Sequence, residues 1–180
     1  MAVEYGRIFL DQQQYDQAAD YWQRAVAIPS ADQHVLTATV ASLKGNFADA
    51  LERVNGIPAT EHPLAEPYQV LFQEASKLRL KSPALAGVLS GVVPGAGRFY
   101  TRDWKDALFS MVFIGTGAWQ SYRGFKRSGV ESVRGWVFGG IATGFYIGNI
   151  YGSARSAKLY NQKKKAYYQR TTDQLFQSHY

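Results

Sequence analysis

The chain has 180 residues, a formal net charge of +6 and no cysteine, so it suits one or two small domains, and disulfides, thiolate catalysis and Cys-ligated metals are excluded. The charge is split: residues 1–76 carry four Lys/Arg against ten Asp/Glu, and residues 77–180 carry sixteen against four. A step of that size separates two parts with different partners, and basic groups set beside apolar runs suit anionic lipid headgroups rather than nucleic acid.

The opening residues, Met1-Ala-Val-Glu-Tyr-Gly6, enter a helical pattern at once, with no basic n-region and no apolar h-region. No signal peptide is read there, and the chain is expected to be either unexported or trimmed. Tyr5, Gly6 and Phe9, then Tyr15, Ala18, Trp22 and Ala25, recur at helical spacing around a polar break at Asp11–Gln14, and Pro29 stops the run. Ala38, Ala41, Gly45, Phe47, Ala50 and Val54 repeat that logic until Asn55-Gly56 and Pro58. Tyr15 and Phe47 are 32 residues apart, as are Ala18 and Ala50. A helix-turn-helix unit with a period near ~34 and small residues at its crossings resembles the tetratricopeptide repeat. His34 and Thr37 depart from that pattern, standing where apolar residues are usual. A third helix is expected over Leu64–Leu80. Such arrays form a concave groove, so a protein partner is expected on this domain, residues 1–81.

A basic collar, Lys77–Lys81, leads to Ser82 as an N-cap and Pro83 at the first helical position. Pro83–Val93 is too short to span a bilayer and is expected at the interface, covering roughly half of a ~30 Å core. Pro94-Gly-Ala-Gly97 breaks it. Two apolar, glycine-rich segments follow, Trp104–Tyr122 and Val133–Gly152, joined by the basic turn Arg123–Gly129. Each is roughly 28–30 Å long as a helix, enough to cross. Aromatic residues stand near their ends, as in a membrane belt. Gly140, Gly144, Gly148 and Gly152 fall on one helical stripe. Small residues in line are the packing device of membrane helices, so this stripe, with Asn149 bonding across it, is expected to be a helix-packing or self-association interface. Arg98, Arg102 and Lys105, and Lys163, Lys164 and Lys165 in the tail, are expected at lipid headgroups.

Leu89–Tyr100 with its Pro-Gly-Ala-Gly turn, Trp104–Phe109, Gly148-Asn-Ile-Tyr-Gly152 and Ser156–Asn161 together resemble a family of bacterial envelope proteins. In that family tetratricopeptide-like repeats precede a C-terminal glycine-rich membrane hairpin. Arg98 stands where the family usually has Gln, and Lys105-Asp106-Ala107 where it has Arg-Asp-Gly. The resemblance implies an exported, membrane-attached protein of Gram-negative bacteria with periplasmic repeats, and it carries no established reaction. The excess of Lys and Arg on the side of the two ends would by itself place them in the cytoplasm. The resemblance is preferred because that rule describes only insertion into the inner membrane.

No catalytic, cofactor or metal site is read. Gly91–Arg98 fails the phosphate-loop spacing. His34, His62 and His179 stand apart, and no serine has a base at hand. The expected architecture is all-α: repeats over 1–81, a membrane hairpin over 82–161 and a polar, basic helical tail over 162–180. The expected function is a non-enzymatic, membrane-anchored adaptor. The alternative is a small oligomeric channel or transporter subunit.

Overall fold

The computed structural model describes residues 2–180 and contains helices and turns, with no strand among the described residues. The chain divides into two units, one holding residues up to Arg79 together with Lys163–Tyr180, the other holding Leu80–Gln162. The chain passes from the first unit to the second after Arg79 and returns to the first after Gln162. Lys163–Tyr180, within the segment expected as a tail, groups with the first unit.

In the first unit, α1 (Ala2–Asp11) and α2 (Tyr15–Arg24) form one antiparallel pair and α3 (Ser30–Leu43) and α4 (Phe47–Val54) a second, followed by α5 (Ala65–Ser76). Each break has a local cause. Gln13 and Gly45 take positive φ, at 59° and 79°, and close the two intra-pair turns. Pro29 precedes α3, and Gly56, at φ 90°, follows α4. Gly6 is there because Trp22 lies against it, and a Cβ would overlap the indole. The Trp22 indole N–H donates to the Val3 carbonyl at 3.2 Å. α4 buries Phe47, Ala50 and Val54 on one face, whereas α3 is buried continuously from Val35 to Ser42 and is the axis of the unit.

In the second unit, α6 (Pro83–Val92), α7 (Ala96–Tyr100) and α8 (Trp104–Ser128) lead through a single 3-10 turn, Gly129–Glu131, into α9 (Val133–His179). α9 supplies this unit as far as Gln162, and its remainder lies in the first unit. Ser82 caps α6, its hydroxyl accepting from the Leu85 N–H at 3.3 Å with Pro83 behind it, as expected. The connection between the two long helices differs from expectation. Arg123–Ser128 continue α8 for almost two more turns, and the reversal occurs at Gly129, at φ 60°. The residues of 123–128 are ordinary helix formers apart from Gly124, and Gly124 faces the Gly135 backbone, so helix packing holds them in place.

The seam of this hairpin is not the Gly140–Gly152 stripe. α8 buries Ala107, Ser110, Ile114, Gly117, Ser121 and Gly124, spaced alternately three and four apart. α9 answers with Gly135, Ala142, Asn149 and Ser153 on its buried side. A 3-4 alternation is the seam of two helices crossing at a shallow angle. A strict four-residue spacing drifts around the helix and leaves it. Gly117 meets the Ala142 methyl, and a Cβ on Gly139 would meet the Ser121 hydroxyl. At Gly140, Gly144 and Gly148 an added Cβ would meet nothing within 4 Å. None of the described helices is long and apolar enough to cross a membrane.

Candidate binding cleft

The sequence-singled residues of the second unit converge where α6, α7, α8 and α9 meet. Gly97 lies so close to the Ala86 carbonyl that no side chain fits, and its N–H donates to the Ser90 hydroxyl at 2.9 Å. That hydroxyl also bonds the Ser153 hydroxyl at 2.6 Å. Thr101 and Ser156 share a 2.8 Å hydroxyl contact, and Ser156 donates to Asp103 at 3.2 Å. The Tyr146 hydroxyl donates to the Gly91 carbonyl. Asn161 closes the unit: its Oδ1 accepts from the Lys81 N–H and its Nδ2 donates to the Lys81 carbonyl, both at 2.8 Å. Apart from Asp103, Tyr146 and Asn161, the side chains of this network are short hydroxyls, each satisfied across helices.

Beside this network lies an open cleft of about 540 Å³. Arg98, Asp106, Ser110 and Asn149 make its polar end, Gly144 and Gly148 its floor, and Phe109, Ile141 and Phe145 its walls. The volume is that of a small-molecule site. Arg98, expected at lipid phosphates, instead turns inward. Its Nη1 donates to Asp106 at 2.6 Å, and its guanidinium fills the space a side chain at Gly152 would need. Its Nε is buried without a partner. Asn149 is 3% exposed, and its Nδ2 reaches the Ser90 carbonyl at 3.4 Å. Flipping the amide would set two oxygens against each other there, so Oδ1 is the end left over, and it is buried and unpartnered.

The other expected headgroup residues are dispersed. Arg102 is exposed at φ 64°, and exposed Lys105 lies 5.8 Å from the Trp104 ring. Lys163 and Lys164 are exposed, but Lys165 is half-buried beside Gly45 at the C-terminus of α3, where the helix dipole favours a cation. Gln169 reinforces it by donating to the Leu43 carbonyl at 2.8 Å.

In the first unit the groove expected to hold a partner is filled by the end of α9. Thr172 and Phe176 are fully buried there. Thr172 bonds Ser42 at 2.7 Å, Phe176 packs 6.1 Å from the Trp22 ring, and Tyr168 lies 5.7 Å from the Phe47 ring. Arg7 donates to the Tyr180 carbonyl and to Gln177, both at 2.8 Å. The Tyr180 hydroxyl meets His62 Nε2 at 2.9 Å and donates to Asp32 at 3.1 Å. Burial lowers the His62 pKa, Asp32 opposes that shift and His179 adds to it. The geometry agrees: the Leu64 N–H donates to His62 Nδ1 at 3.0 Å, a bond that the protonated ring would lose. Burial, above all, pushes the Tyr68 and Tyr180 hydroxyls up. The four-residue stripe Tyr168, Thr172, Phe176, Tyr180 was the available sign of this docking.

Among the described residues no cluster of His, Asp or Glu could hold a metal ion. No family model, curated protein or solved structure matches the chain.

Proposed function

We propose that the chain is a non-enzymatic, membrane-anchored adaptor of a bacterial envelope, its second unit in the bilayer and its first unit presented to a partner protein. One observation carries this reading: the polarity of the second unit is inverted. Its interior is Gly, Ala, Ser, Thr101 and Asn149 with one large apolar residue, Ile114, in the α8 seam, while Leu108, Val112, Phe113, Trp119, Trp136, Val137, Ile147 and Tyr151 stand outside. Scattered exposed apolar residues are ordinary, but a contiguous set on two adjacent helices marks an interaction surface. Small residues inside and large ones outside is the arrangement lipid favours, because lipid supplies no hydrophobic force between helices and close backbone packing must do so.

The modest hydropathy of α8 and α9 has a location. Ser110, Ser121, Asn149 and Ser153 lower the mean, and all four are buried in the seam. Ser121 donates to the Gly135 carbonyl at 2.8 Å. The outward face is therefore more apolar than the average along the helix. No charge occurs from Ala107 to Tyr122 or from Gly135 to Ala154, lengths of roughly 24 and 30 Å against a core of ~30 Å. Arg123, Lys126, Arg127 and Arg134 bracket one end and Arg102 and Lys105 the other. The partner surface in this reading is the outer face of α1, where Tyr5 and Ile8 are exposed, with Val26 in the turn after α2, because the groove is occupied.

Carbonate washing of membranes from cells making the untagged protein tests the anchor. Retention in the pellet is expected, and recovery in the wash would overturn it. The alternative, an oligomeric channel or transporter subunit, draws on the charged end of the cleft at Arg98 and Asp106. It predicts solute flux from liposomes carrying the purified protein, and the adaptor predicts none.

A further inference from the structure

We infer that the cleft between α5 and the end of α9 is a docking surface for a cationic amphipathic helix of a partner protein, one whose apolar side chain stands between two arginines or lysines about two turns apart. The cleft lies wholly within the first unit. It gives a chemistry to the partner proposed for that unit and does not depend on the bilayer placement of the second. Its open space is about 400 Å³. The floor is apolar, with Pro67, Val70 and Leu71 from α5 and Leu175 from α9. Leu71 and Leu175 pack against the core cluster of Tyr68 and Phe72, so the floor is fixed, while Val70 is 56% exposed beside them.

Two carboxylates define what lies on that floor. Glu66 and Glu74 line the cleft on either side of Val70, roughly 12 Å apart along α5. Neither is in an ion pair among the described residues, although Lys77 follows Glu74 by three positions and Arg170 precedes Thr171 of the cleft wall. No cation lines the cleft. The charge of Glu74 is felt on α9, where burial first and Glu74 second raise the pKa of the Tyr168 hydroxyl. An apolar centre with a carboxylate at each end is complementary to an apolar side chain with a cation at each end, and it repels an acidic segment. The fold selects the form of the partner. No strand occurs among the described residues, so an extended peptide finds no edge to pair with. A helix satisfies its own backbone and brings only side chains to a groove between two helices. Arginine at i and i+7 with leucine at i+3 sets all three on one face.

The test titrates a capped, alanine-based helical peptide carrying that Arg-Leu-Arg stripe into the full chain in dodecyl maltoside, with empty micelles as the blank. Calorimetry should give one peptide per chain, and the same peptide with Glu in place of Arg should not bind. Reversing the cleft by Glu66→Lys with Glu74→Lys should weaken the Arg peptide about tenfold or more and admit the Glu peptide. Glu52→Lys with Glu61→Lys makes the same change of net charge outside the cleft and should leave binding within about twofold. Circular dichroism checks that each variant is folded, and Glu66→Gln with Glu74→Gln replaces the reversal if it is not, with the same loss expected. No binding by the parent, equal loss in the cleft and control variants, or undiminished binding when the peptide leucine becomes serine would each overturn the assignment. So would self-association of the parent that the reversal abolishes, which would give the cleft to a second copy. Carbonate washing reads the anchor separately, so a failure of the peptide to bind leaves the bilayer placement standing.

Discussion

A methyl group on Gly97 would overlap the Ala86 carbonyl, whereas the same methyl on Gly148 would meet open space. Both glycines are helical, so the intrinsic gain from Ala, up to about 1 kcal/mol, is common to both positions. Gly97→Ala should therefore lower unfolding stability by about 2 kcal/mol or more through forced separation of α6 and α7, while Gly148→Ala should be neutral or stabilising. Chemical unfolding followed by circular dichroism decides, and equal behaviour of the two variants would sink the packing assignment. His62 supplies a second prediction at this scale. Its pKa is held below the ordinary 6.5 by burial, with Asp32 of α3 and Tyr180 and His179 from the end of α9 facing it. A base whose folded pKa is depressed binds fewer protons folded than unfolded, so stability rises with pH across that window. The contribution is complete above pH 6.5 and is lost as pH falls through the folded value. Thermal unfolding should show the first unit weaker at pH 5.5 than at pH 7.5, and His62→Gln should flatten that difference. An unchanged slope in the variant would assign the pH dependence to other groups.

The helices themselves were largely readable, and their partners were not. The first helix pair, the second pair and the Ser82–Pro83 start of α6 follow from apolar spacing, proline and glycine, which are local signals. The hairpin seam was misplaced because Gly140, Gly144, Gly148 and Gly152 are conspicuous, while Ala107, Ser110, Ile114, Gly117, Ser121 and Gly124 are mixed in type and share only their 3-4 spacing. Spacing, not residue identity, decides which face meets a second helix. The end of α9 was read as a polar tail because its buried positions alternate with Lys, Arg and Gln. What holds it is tertiary: Phe176 is fully buried against Trp22, and Ser42 and Thr172 satisfy each other. Phe176→Ala should cost about 3–5 kcal/mol, the range for a large aromatic removed from a core. Ser178→Ala, one exposed position in the same helix, should cost within about 0.5 kcal/mol. If the two variants unfold at the same denaturant concentration, the docked helix is not part of the folded unit.

At the scale of the molecule, the two units obey opposite rules. The first buries Trp22, Leu36, Tyr68, Phe72 and Phe176 completely and shows the ordinary order of apolar inside and polar outside. The second hides hydroxyls and glycines and displays its aliphatic and aromatic side chains. A single lysine distinguishes the solvents these surfaces face. Val112 is 61% exposed near the middle of the uncharged stretch of α8, and Val26 is 99% exposed on the first unit. In water an exposed Val→Lys change costs little at either place, within about 0.5 kcal/mol, and improves solubility. In a bilayer a lysine near the centre of a helix costs about 2.5–3.5 kcal/mol of insertion free energy, and one outside the bilayer costs nothing comparable. Val112→Lys should therefore shift the protein measurably from the carbonate-resistant pellet to the supernatant or to degradation, and Val26→Lys should leave its distribution unchanged. If both lysines are tolerated equally and the protein pellets regardless, the outward face of α8 does not touch lipid. The inverted surface must then be covered by protein, and the partner to look for is one that buries Val112.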